Sequence, residues 1–105
     1  MYAYSWGRQN WFENVAREHH AVRTGVGLYD MSSFGKLRVE GRDAEAFLNY
    51  ICGGDMSGPV GKITYSQFLN NAGGIEADVT VTRLAEDAYL VVTPAATRQA
   101  DEIWL

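Results

Sequence analysis

A carboxylate in the middle of an alternating segment is the strongest chemical signal in the chain. Ile75, Ala77, Val79 and Val81 alternate with Glu76, Asp78, Thr80 and Thr82, the period of two that marks a half-buried strand. Asp78 therefore falls mid-strand on the polar side, where a rigid backbone can aim it at a ligand. A carboxylate held in that way can take or relay a proton. The competing reading is a carboxylate that is merely solvated, the ordinary state of a charged residue on an open strand face. The two readings part on whether neighbours build a pocket around it.

Tyr65, on the preceding strand, is the first such neighbour. It stands directly opposite Asp78 if residues 69 and 74 pair across the loop Asn70-Asn71-Ala72-Gly73. A slip of one residue would put Tyr65 behind the sheet instead. Gly73 and Gly74 can supply either a positive φ or a bulge there, so the register stays open at this level.

Other reactive residues carry less. His19 and His20 are adjacent on a helical stretch, so their side chains diverge by roughly 100° and cannot share one ion. No metal site is expected. Cys52 is the single cysteine, which leaves no intrachain disulfide and no paired-thiol metal motif. It reads as a small buried side chain in a reducing compartment. Gly58-Pro59-Val60-Gly61-Lys62-Ile63 has a faint look of a phosphate loop. Met56 stands where that pattern needs its first glycine and Ile63 where it needs Ser or Thr, so the motif is rejected.

The elements that must position these groups fit one domain. The chain has 105 residues, 47% hydrophobic and 21% charged, with a net charge of −4. Those are globular values. Its nine Lys and Arg are scattered, without the basic stripe of a nucleic-acid binder. No segment reaches the roughly 18 apolar residues of a membrane span, and the N-terminus lacks the pattern of a signal peptide. Neither nucleic acid nor membrane is an expected partner, and a cytoplasmic protein is expected, or a mitochondrial-matrix one in a eukaryote.

Asn10 is placed to cap a helix from Trp11 to about Arg23, with Glu13 at the capping-box position. Val26 to Asp30 reads as a short buried strand and Gly35 to Glu40 as another, with Leu37 and Val39 inward. Asp43 caps a second helix whose face is Ala44, Phe47, Leu48 and Ile51, and Gly53-Gly54 ends it. Strands over 62–69, 75–84 and 88–93 follow, then a helix from Ala95 to Leu105 opened by Pro94. From Gly35 the order is β-α-β-β-β-α. This is an α+β fold with helices on one face of an antiparallel sheet, split β-α-β in kind. Both ends read as cut, so a piece of a larger domain is expected, with self-association through exposed apolar ends such as Tyr2, Tyr4, Trp6, Ile103 and Trp104.

Three blocks carry a family resemblance. They are Ser5-Trp6-Gly7-Arg8-Gln9-Asn10-Trp11-Phe12, the run from Ala21 through Asp30 to Lys36, and Gly73-Gly74-Ile75-Glu76-Ala77-Asp78. Together they resemble the sarcosine and dimethylglycine dehydrogenases and, more broadly, the aminomethyltransferase (T-protein) of the glycine-cleavage system. The resemblance implies that residues 1–20 are a linker and helix following a flavin-containing half. It implies that residues 21–105 begin a folate-binding half, and that FAD belongs only to the part outside this chain. No Gly-x-Gly-x-x-Gly fingerprint is present. In such enzymes the flavin half oxidises an N-methyl amine, and tetrahydrofolate takes up the one-carbon unit as methylenetetrahydrofolate.

By that resemblance Asp78 matches the second acidic position of the T-protein Gly-Gly-Ile-x-Asp-Asp motif, the catalytic aspartate at the folate amine. Ala77 replaces the first. Tyr65 matches a pocket tyrosine, while Phe34, Thr80, Val91 and Thr93 fall at further folate-pocket positions. A flat ring wants an aromatic or branched wall, which Tyr65, Phe34 and Val91 would give it. Partial burial would raise the Asp78 pKa toward use as a base. The family's later folate contacts lie beyond Leu105, so weak tetrahydrofolate binding and no turnover are expected of this chain alone. The alternatives are a non-catalytic interaction module of the same fold and a stand-alone aminomethyltransferase-type protein. The folate-enzyme reading is favoured over the interaction module if Tyr65 and Asp78 share one concave surface, and the interaction module if they lie on opposite sheet faces.

Overall fold

The computed structural model describes residues 1–105 as two compact units, Met1–Asp30 and Met31–Leu105. The first contains helix α1, Phe12–Thr24. The expected Asn10 cap is not made. Trp11 takes the cap position without a side-chain bond, and the Asn10 side chain instead closes a loop. Its Oδ1 accepts from the Ala3 N–H at 3.0 Å, and its Nδ2 donates to the Met1 carbonyl at 3.0 Å. Tyr2 and Tyr4 then meet the Trp11 ring edge-on at 5.1 and 5.4 Å. Glu13 pairs with Arg8 at 3.3 Å, so it does not complete a capping box.

The strand expected over Val26 to Asp30 is absent: the segment is irregular, with Val26 and Leu28 fully exposed. An apolar run becomes a strand only beside another strand edge, and this unit contains none.

In the second unit β1 (Gly35–Glu40), β2 (Ile63–Leu69), β3 (Ile75–Ala85) and β4 (Ala88–Thr93) form one antiparallel sheet in the order β1-β4-β3-β2. Helix α2 (Ala44–Ile51) links the two edge strands, with β4 and β3 between them. Its expected apolar face is present: Ala44, Leu48 and Ile51 are buried, and Phe47 lies at the margin. They pack on Phe68, Ala77, Val79, Val81, Tyr89 and Val91, with Leu37, Val39 and Leu105 around them. Asp43 occupies the cap position without a side-chain cap bond, being paired with Arg42 at 3.1 Å.

After α2 the chain turns along the β2 edge. The Gly53 N–H donates to the Gln67 carbonyl at 3.0 Å and the Gly54 N–H to Ser66 Oγ at 2.9 Å. Cys52 is buried there, and burial pushes its thiol up to about 11, so it stays protonated. Arg83 anchors the far end of the sheet, donating to the Gly58 and Glu86 carbonyls and pairing with Glu45 at 2.8 Å.

Helix α3 runs Arg98–Trp104, three residues later than expected, because Pro94–Thr97 forms a separate turn before it. Asp101 of α3 is buried, and its Oδ2 accepts the hydroxyls of Thr93 and Thr97.

Candidate functional site

The face of the sheet turned away from α2 carries the site. Alternation along β3 sends Ala77, Val79 and Val81 into the core and leaves Glu76, Asp78 and Thr80 on the other side. The loop before β3 is held by the side chain of Asn70. Its Oδ1 accepts the N–H groups of Ala72 at 3.0 Å and Gly74 at 2.9 Å, and its Nδ2 donates to Glu76 at 2.6 Å. Gly73 sits at φ +78°, a conformation that glycine adopts without penalty.

The open question of register is answered by the pairs Gln67↔Asp78 and Tyr65↔Thr80, with an irregularity between Phe68 and Leu69 that pairs Leu69 with Ile75. Tyr65 is therefore two residues away from being opposite Asp78. An offset of two preserves the face, and diagonal partners remain within reach of a long side chain. The Tyr65 hydroxyl donates to Asp78 Oδ2 at 2.7 Å, and Gln67 Nε2 donates to Oδ1 at 3.0 Å. The bond to Asp78 is the first cause holding the Tyr65 phenol above the ordinary tyrosine value.

The same register draws a row across all four strands: Lys36, Val92, Thr80 and Tyr65. Above it opens a hollow of about 490 Å³ walled by Met31, Phe34, Val92 and Pro94, with Asp78 and Tyr65 on its border. That volume lies within the range of small-molecule sites. Lys36 Nζ donates to the carbonyls of Ser32 at 3.0 Å and Met31 at 3.3 Å, which ties down the turn carrying Phe34. The hollow thus offers a broad apolar wall and one carboxylate with acceptor capacity left over, a combination that suits a flat heterocycle bearing an amine.

Phe34, Tyr65, Asp78 and Thr80 line one hollow. Val91 does not: it is fully buried in the core beneath the sheet, paired with Val81 and Leu37. Val92 is the valine that faces the hollow. Thr93 borders the hollow, yet its hydroxyl donates to Asp101 and is not free for a ligand. Asp78 is exposed, so this chain alone does not provide the burial looked for around it. Gln67 and Lys36 went unnoticed. Gln67 was findable, since it shares the parity of Tyr65 two residues on; the bonds of Lys36 to its own turn leave no sequence signature.

Residues 1–105 match the family model described as GCVT N-terminal domain. The chain is 46% identical, over 99% of its length, to 4-methylaminobutanoate oxidase (formaldehyde-forming) from Paenarthrobacter nicotinovorans, and it spans 13% of that protein. It is 37% identical over 95% of its length to an aminomethyltransferase of Staphylococcus epidermidis, spanning 28% of that one. The crystal structure of glycine cleavage system aminomethyltransferase T from Bartonella henselae superposes with a TM-score of 0.73 at 29% identity, covering 96% of this chain and 29% of that chain. The antiparallel sheet with its helices is thus the T-protein arrangement, and the chain belongs to the aminomethyltransferase-like GCVT N-terminal domain family.

Proposed function

We propose that this chain is the first part of the tetrahydrofolate-binding half of a longer flavin-dependent oxidoreductase acting on an N-methyl amine of the sarcosine or dimethylglycine kind. The observation that carries the reading is the Tyr65–Asp78 bond at the border of the apolar hollow. A reduced folate supplies an amine that takes up a one-carbon unit. Phe34, Val92 and Thr80 would line the place of its ring, and Asp78 would accept the proton the amine gives up on forming its new bond. Tyr65 donates to Asp78 and keeps the carboxylate turned toward the hollow. The FAD and the methylated amine belong to the remainder of the protein.

The name of the Paenarthrobacter relative adds support, because it describes an oxidase of a methylamino acid. That name also says formaldehyde-forming, which favours a second reading in which the one-carbon unit leaves without a folate acceptor. Calorimetric titration with folinic acid separates the two. Saturable heat that weakens about tenfold in Asp78→Ala and in Tyr65→Ala is the expected result. No heat from a folded chain, or heat unchanged in both variants, would overturn the folate reading.

A further inference from the structure

We infer that Gln67 is a positioning residue that, together with Tyr65, orients the Asp78 carboxylate toward the ligand amine; the inference rests on the folate reading above. Each carboxylate oxygen takes one donor from within the sheet: the Gln67 amide on Oδ1 at 3.0 Å and the Tyr65 hydroxyl on Oδ2 at 2.7 Å. A group gripped at both oxygens cannot rotate about its last bond, and each oxygen keeps a further lone pair for the hollow.

Gln67 is well placed for this. It is the direct cross-strand partner of Asp78, its side chain is half-buried, and its backbone carbonyl is pinned by the Gly53 N–H at 3.0 Å. The chemistry of an amide matters as well. It donates a hydrogen bond yet adds no charge and gives up no proton, so it orients Asp78 without neutralising it. A lysine in the same place would pair with the carboxylate and compete with a cationic or amine ligand. Lys36 is the other charged side chain lining the hollow, and its ammonium is already engaged by the Met31 and Ser32 carbonyls.

The test follows the phenol of Tyr65 by carbon NMR on tyrosine-labelled chain, in the wild type, Gln67→Leu and Asp78→Asn, alongside folinic acid titration. Gln67 is the neighbour that pulls the Tyr65 titration down, against the upward pull of Asp78. In Gln67→Leu the carboxylate leans on Tyr65 alone, so Tyr65 should titrate at higher pH than in the wild type. In Asp78→Asn it should titrate at lower pH. Folinic acid affinity should fall about three- to tenfold in Gln67→Leu, the loss of one neutral hydrogen bond. A Gln67→Leu chain that is folded, binds folinic acid as the wild type does and leaves Tyr65 unmoved overturns the role of Gln67. A wild type that takes up no folinic acid defeats the folate reading instead, whatever Tyr65 does.

Discussion

Replacing Asn70 by alanine separates what the turn contributes from what the core dictates. The Asn70 side chain makes three hydrogen bonds, to Ala72, Gly74 and Glu76. All are close to water, so each is worth about 0.5 kcal/mol and the three together about 1.5 kcal/mol. For a domain of this size that is a fall in Tm of roughly 6–12 °C. The register should nevertheless hold. A one-residue slip would turn Val79 and Val81 out of the core, at about 1.5–3 kcal/mol each, and would carry Glu76 and Asp78 inward unpaired. The core therefore outweighs the turn by a factor of two or more. Urea denaturation of Asn70→Ala should show a lower midpoint with an unchanged slope, and folinic acid should still bind. Loss of binding together with the Tyr65–Asp78 contact, in a chain that remains folded, would refute the claim that the core sets the register.

Thr93→Val should destabilise the chain by about 1–3 kcal/mol, since Asp101 loses a buried donor, while folinic acid affinity changes less than twofold in titration. Lys36→Met should free the Met31–Phe34 turn and weaken folinic acid binding about threefold or less, with denaturation midpoints close to native. The folded-state pKa of Cys52 lies above its unfolded value of 9.0, at about 11, so the folded state holds its proton more tightly. Its contribution is intact below pH 9 and is lost as the pH rises from 9 to 11. Unfolding free energies measured across that window should fall by up to about 2 kcal/mol more for the wild type than for Cys52→Ala.

The parts of the fold that were legible are those where a period reaches a single buried face. The alternation of β3 and the apolar stripe of α2 each admit one orientation, and Ala77, Val79, Val81, Ala44, Leu48 and Ile51 lie in the core as the periods require, whereas Ile75 at the start of β3 and Phe47 on α2 are exposed. β4 is different: Ala88, Tyr89, Leu90, Val91 and Val92 run without a polar residue between them. Parity cannot be read from such a run, and the wall expected at Val91 is provided by Val92. Asn10 has the chemistry of a helix cap, but the same amide serves the loop from Met1 to Ala3, a partner seven to nine residues away that helix-start rules do not consider. Val26 to Asp30 had the composition of a strand and no edge to join. The Tyr65–Asp78 bond depended on register, and the sequence left register open because the turn Asn70–Gly73 allows more than one pairing of its flanks.

The most direct test of the site is an amide chemical-shift map of the nitrogen-labelled chain during folinic acid titration. The account predicts that shifts cluster at Phe34, Lys36, Tyr65, Asp78, Thr80 and Val92, the residues that meet on the face opposite α2. It also predicts that helix α2 from Ala44 to Ile51 stays still. Shifts centred on α2 or on the Asp55–Gly61 loop, with Tyr65 and Asp78 unmoved, would contradict it.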